Sequence, residues 1–346
     1  MNTLRTLISV AVIASLAACG GGGSSAPAGN GGSGSTGNGG SGNTGIVTLT
    51  VPVEGNLQTG ASSSTYAAGS VAQTAFAALN AMRVLAGAGV LVQSTHLDVS
   101  AAAHEAYLDA NAAFGLTHIE DATKPSFYAA APADRMTKAG YSVGLNGETI
   151  GGADVAGLVN TVYHGAAVLG AWTNVGLGTS VDFGGFTNST VNFAAPLGSY
   201  GQVPAAGSMV TYPYAGQTGT ADTFQVAQES PRPPVALLPN ATAGSPVLVS
   251  VRNADFINAG SALNVTVTEF SLKDASGNLV PVTILSSPGM SGAMLHTDAV
   301  LTEPGFAVLV PLSPLVKGQT YSVSFSATLK TGGAALAKVW TFTTAR

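Results

Sequence analysis

The chain holds five histidines, seventeen acids, twelve Lys and Arg residues and one cysteine in 346 residues, so few side chains can do chemistry. Several stretches come close to known catalytic patterns. His104-Glu105-Ala106-Tyr107-Leu108 begins like the zinc-protease H-E-x-x-H, but Leu108 stands where the second histidine must be. His104 and Glu105 are therefore expected on the solvated face of a helix. Gly289-Met290-Ser291-Gly292-Ala293 lacks the last glycine of a nucleophile elbow. Gly37-Asn38-Gly39-Gly40-Ser41-Gly42 fits G-x-G-x-x-G, but no strand precedes it and no helix follows, so it has no nucleotide-binding meaning. There is no P-loop. His96 and His296 stand alone and are expected at the surface or in loops. Arg83 and Arg135 are expected to be structural, each satisfying buried carbonyls or an acid.

Cys19 cannot form an internal disulfide, because it has no partner. Its context gives it another role. Arg5 precedes an apolar run from Leu7 to Ala18, the layout of a secretory signal and too short for the roughly 20 residues of a membrane span. Leu16-Ala17-Ala18-Cys19 resembles the bacterial lipobox, which implies cleavage after residue 18 and lipidation of Cys19. Gly20 follows where an Asp would suggest inner-membrane retention. The expected location is thus the cell envelope, at the outer membrane or cell surface. Residues 19–45 are nearly all Gly, Ser, Asn and Thr after the cysteine, a flexible tether whose mean reach is roughly 25–30 Å.

Charged residues are only 8% of the chain and the net charge is −5, which excludes a basic nucleic-acid footprint. Two periodicities follow the tether. From about Val71 to Leu169 the pattern is helical. Val71, Ala75, Leu79, Met82 and Leu85 mark a first helix. A second, capped by Asp98 and ended by Gly115, places Val99, Ala102, Ala103, Ala106, Ala110, Ala113 and Phe114 on one face. A short helix is expected over Pro132–Ala139, and a fourth from Asp154 to Leu169. Strands are expected near Glu148–Ile150, Ala171–Gly178 and Thr190–Ala194, giving an α+β class. From Gly244 onward short strand-like runs alternate with turns such as Ser276-Gly277, Lys317-Gly318 and Gly332-Gly333, the pattern of an all-β Ig-like sandwich. The Pro/Gly-rich stretch 206–234 is expected to be a hinge, with Met209–Tyr214 able to pair with a sheet.

An ordered series of short motifs names the first half. Leu79-Asn80-Ala81-Met82-Arg83 is followed by Gly115-Leu116-Thr117-His118, then Arg135 to Gly140-Tyr141, Gly147-Glu148-Thr149-Ile150, Val162-Tyr163-His164 and Val175-Gly176-Leu177-Gly178. This series resembles the CAP domain, also called the SCP or cysteine-rich secretory protein domain, in a cysteine-free bacterial form. The resemblance covers roughly Val71 to Ala195. It implies an α-β-α sandwich over residues 46–205, with the Ig-like sandwich over 235–346. The closing segment Gly318-Gln319-Thr320-Tyr321-Ser322-Val323 and Trp340-Thr341-Phe342-Thr343-Thr344 also looks like the last strands of bacterial Ig-like domains.

The family's cavity is lined by two His and two Glu, and His118, Glu148 and His164 match three of them. The second Glu has no counterpart, since Leu158-Val159-Asn160-Thr161 contains no acid; Asn160 stands one turn before His164. Thr149 replaces the Asn of "G-E-N". Three readings stay open. The trio is a polar network bracing the sheet, a site for a ligand or a divalent metal such as Zn or Mg held by His118 and His164, or a catalytic site with Glu148, His118 and His164. By resemblance the ligand is a lipid or another small apolar molecule, with Asn160 and Tyr163 beside it. Phe127, Tyr128 and Tyr163 are either an aromatic rim or core packing, and Glu120–Ala131 is a possible lid.

Overall fold

The structure is a computed structural model that describes residues 53–60, 62–152, 154–183, 186–258, 265–329 and 334–346. The signal segment, Cys19, the tether and the Gly332-Gly333 turn lie outside the described residues. The class is α+β, with helices confined to the first half and its junction and strands dominating the second.

Helix α1 (Val71–Ala86) starts where the Ser70 hydroxyl accepts from the Gln73 N–H and ends at Gly87, whose φ of 89° only glycine adopts readily. Strand β1 (Val92–Gln93) and α2 (Thr95–Ala110) follow. Helix α3 (Pro132–Lys138) opens on a proline, whose missing N–H costs nothing there. Then come β2 (Val143–Gly151), a 3₁₀ turn at Ala156–Asn160, α4 (Tyr163–Leu169), β3 (Asn174–Phe183) and β4 (Phe186–Pro196). The expected fourth helix is thus broken in two. The four strands form one sheet in the order β1-β3-β4-β2.

Alternation along β4 sorts the helices to opposite faces. Val191 and Phe193 share a core with Phe76 and Leu79 of α1 and with Ala166 and Leu169 of α4. Thr190, Asn192 and Ala194 point the other way, toward α2 and α3. Helices therefore cover both faces.

The orientation of α2 differs from the sequence expectation. Its buried residues are Leu97, Ser100, Ala101, His104, Glu105, Tyr107 and Leu108. Val99 is 53% exposed and Phe114 70% exposed, so the expected apolar stripe is the solvent face. His104 and Glu105, expected in solvent, are 0% and 3% exposed. Two glycines explain the inversion. A Cβ on Gly176 would stand 2.2 Å from the Leu97 carbonyl carbon, and one on Gly178 would stand 2.5 Å from that of Ala101. With the helix backbone lying that close to β3, polar side chains of α2 reach partners on the sheet. Asp98 also does not cap α2. Its carboxylate accepts from the Tyr66 hydroxyl, the Gln93 amide and the Leu177 N–H.

The second half forms two five-stranded sheets. Their strands are β5 (Val210–Tyr212), β6 (Gln217–Thr220), β7 (Val247–Ser250), β8 (Val265–Lys273), β9 (Val282–Ser286), β10 (Met290–Ser291), β11 (His296–Thr297), β12 (Phe306–Pro311), β13 (Thr320–Leu329) and β14 (Ala335–Thr344). The orders are β10-β8-β13-β14-β6 and β11-β9-β12-β7-β5. The stretch expected to be a hinge contributes β5, paired with β7, and β6, paired with β14. A short helix α5 (Ala254–Asn258) follows β7.

Strand β13 buries every second residue, so only one face of its sheet meets a core. Strands β7 and β12 are buried at every position. Val247, Val249, Ala307 and Leu309 meet Phe325, Trp340 and Phe342 between the sheets. Leu248, Phe306, Val308 and Val310 belong instead to the core that contains Leu79, Val162 and Trp172. The two halves of the chain thus share one hydrophobic core across the β7–β12 sheet. Among the described residues no helix is long and apolar enough to cross a membrane.

Candidate functional site

Glu148 leaves β2 on the face covered by α2 and α3, because it pairs in register with Asn192 of β4. Its side chain is 1% exposed. Arg135, from α3, donates through Nη2 to both carboxylate oxygens at 2.8 and 2.7 Å. His118 Nδ1 lies 2.9 Å from Oε1. In the amide orientation that satisfies both ends, Asn192 donates to Oε2 at 2.9 Å and accepts from the Ser100 hydroxyl and the Ala101 N–H. The carboxylate therefore accepts four hydrogen bonds. Burial by itself pushes its pKa up. The Arg135 charge, the His118 hydrogen bond and the nearby charges of His104 and His118 outweigh this and hold it down at about 2.

Arg135 also donates through Nη1 to the carbonyls of His118 and Ala130, so it ties both ends of the intervening segment to the sheet. The expectation that it satisfies an acid and buried carbonyls is met. Arg83 does the same on the other face, donating to the carbonyls of Ala88, Gly89, Val168 and Gly170.

A second buried pair adjoins the first. His104 Nδ1 lies 2.8 Å from Glu120 Oε1, and His104 Nε2 lies 2.8 Å from the Thr117 carbonyl and 3.9 Å from Glu148 Oε1. The other oxygen of Glu120 accepts from the N–H groups of Tyr128 and Ala129. The stacked Tyr107 ring lies beside His104. The sequence singles out His104 only for an incomplete zinc-protease pattern on a solvated face, and Glu120 only as the start of a lid; both are buried here. The available signal was spacing: 97, 100, 101, 104, 105 and 108 recur at helical steps and all face the sheet.

His164 is not brought to this site. It lies on α4, which packs on the opposite face of the sheet. Its Nδ1 is 3.4 Å from Glu229 Oε1 and 3.5 Å from the Thr161 hydroxyl. Glu229 accepts in addition from the N–H groups of Val162, Tyr163 and His164, so it caps the first turn of α4. Asn160 does not turn to His164 either. It accepts from the Tyr212 hydroxyl and donates to the Gly157 carbonyl. The Tyr163 hydroxyl donates to Asp298 at 2.7 Å, and burial together with this acid raises its pKa. Asn160, Tyr163 and His164 are thus residues of the junction between the two halves, where sequence reading had grouped them with His118. Among the described residues no group of three or more His, Cys, Asp or Glu is placed to hold a metal ion.

His118 is the part of the cluster that meets solvent, with its side chain 24% exposed. Around it in sequence stand Phe114, Leu116, Ile119 and Phe127, all exposed. The ammonium of Lys124 sits 4.0 Å over the Phe114 ring, and that of Lys138 sits 4.4 Å over Tyr128. Phe127 therefore faces water, while Tyr128 lies under a lysine.

No family model matches the chain, and no curated protein matches it.

Proposed function

We propose that the chain is a lipid-anchored envelope protein with a CAP-type first half and an Ig-like second half. In this reading it acts as a non-enzymatic binding module for a lipid or another small apolar ligand. Cys19 would carry the anchor and residues 20–45 the tether, as the signal and lipobox pattern implies.

The observation that carries the non-enzymatic reading is the state of Glu148. All four of its accepted hydrogen bonds come from the protein itself, and its pKa of about 2 is far from the value near 7 that suits a general base. Taking up a metal or a substrate proton at Glu148 would orphan the buried guanidinium of Arg135. In this reading an apolar ligand meets the His118 imidazole and the exposed apolar side chains near it in sequence, among them Phe114 and Ile119.

The test uses the full chain and a fluorescent fatty acid as the probe, since the lipid on Cys19 would by itself hold the chain to vesicles. Phe114→Ser with Ile119→Ser should lose binding while the melting temperature stays within about 2 °C, because both side chains are exposed. Retained binding in that variant would remove this face from the proposal. Zn²⁺ or Mg²⁺ should leave the melting temperature unchanged. A metal-dependent hydrolytic activity abolished by His118→Ala would replace the reading with an enzymatic one.

A further inference from the structure

We infer that His104 is held as a doubly protonated imidazolium and that its charge latches segment 115–131 onto α2. Both ring nitrogens lie 2.8 Å from oxygen atoms, and the Thr117 carbonyl can only accept. A neutral imidazole carries one N–H, so it could satisfy one of these oxygens and would turn a lone pair on the other. A proton on Glu120 instead of the ring would also solve the geometry. The surroundings of Glu120 oppose that placement. Its Oε2 accepts from two backbone N–H groups, and the Arg135 Nε stands 3.6 Å from its Oε1. These donors call for acceptor lone pairs on Glu120.

Charge balance gives the same answer. Four groups face one another here: Glu120 from the segment, Glu148 from β2, Arg135 from α3 and His104 from α2, each with a side chain no more than 1% exposed. His118 meets Glu148 from the solvent side. Glu105, on the same helix as His104, is bonded to Asn188 and Thr190. With His104 charged, the four-group cluster holds two positive and two negative charges. With His104 neutral, two buried carboxylates share one fully buried cation, Arg135, and depend on the partly exposed His118 for the rest of their compensation.

The latch follows from what the ring joins. Nε2 holds the Thr117 end of the segment. Nδ1 holds Glu120, whose other oxygen holds the N–H groups of Tyr128 and Ala129. One charged ring thus pins both limbs of the loop that carries His118 and its apolar neighbours. This is a positioning role, with no contact between His104 and a ligand.

The direct test is ¹⁵N NMR of the histidine rings in the full chain at pH 7.5. Both His104 nitrogens should show protonated, imidazolium-type shifts. An unprotonated ring nitrogen at His104 would overturn the inference, and this measurement needs no variant. Hydrogen exchange supplies the second test. In His104→Gln the amides of Tyr128 and Ala129 should exchange about a hundredfold faster, while β13 and β14 amides hold. His104→Gln combined with Glu120→Gln should exchange more slowly than His104→Gln alone, since charge balance is restored. A double variant at least as fast as the single would overturn the charge argument, because a packing role alone predicts added damage.

Discussion

Replacing Glu148 by Gln isolates the charge that the Arg135–His118–Asn192 cage is built to hold. The Glu148 pKa falls from an ordinary 4.5 to about 2 on folding. At about 1.36 kcal/mol per pKa unit this corresponds to roughly 3 kcal/mol of stability, and the group is fully buried, so solvent screening does not reduce it much. Because the folded value is the lower one, this stability is present above pH 4.5 and is lost as pH falls toward 2. By pH 3 about 2 kcal/mol of it should be gone. Glutamine keeps the shape but offers one oxygen in place of two and leaves Arg135 without its counter-charge. Urea unfolding of Glu148→Gln at pH 7 should therefore give a loss of about 3 kcal/mol. The variant should also lose less between pH 6 and pH 3 than the parent does. A loss under about 1 kcal/mol at pH 7, or an acid limb as steep as the parent's, would refute the view that the cage stores its energy in this carboxylate.

Arg83→Met should cost at least about 3 kcal/mol in urea unfolding, because four carbonyls lose their donor inside the core; a midpoint near the parent's would show that water replaces the guanidinium. Leu248→Ala should cost about 3 kcal/mol and leave a single calorimetric transition, since Leu248 belongs to the core shared by both halves. Two separated transitions would mean that the halves fold independently. Burial pushes Glu303 up to about 7, with Arg252 opposing the shift. A folded pKa above the unfolded one destabilises the protein as pH rises from 4.5 to 7, so Glu303→Gln should raise stability by about 1–2 kcal/mol at pH 8 and have little effect at pH 4. Equal effects at both pH values would count against it.

The sequence determined the element types and most of the strands. The short strand-like runs expected from Gly244 onward include those that became β7, β13 and β14, because β-branched and aromatic alternation is a local property of the chain. It also brought His118, Glu148 and Arg135 into view. Tertiary structure decided which face of α2 is buried. An Ala-rich helix has apolar residues on several sides, and the choice fell to Gly176 and Gly178, some 75 residues away, which admit its backbone. That choice buried His104 and Glu105, and it made a cluster out of residues that no motif joins. Tertiary structure likewise separated His164 from His118, since α4 and α2 lie on opposite faces of one sheet and side-chain alternation sends their partners apart. A motif fixes the order of residues along the chain. Only the packing of the layers decides which of them can share a proton.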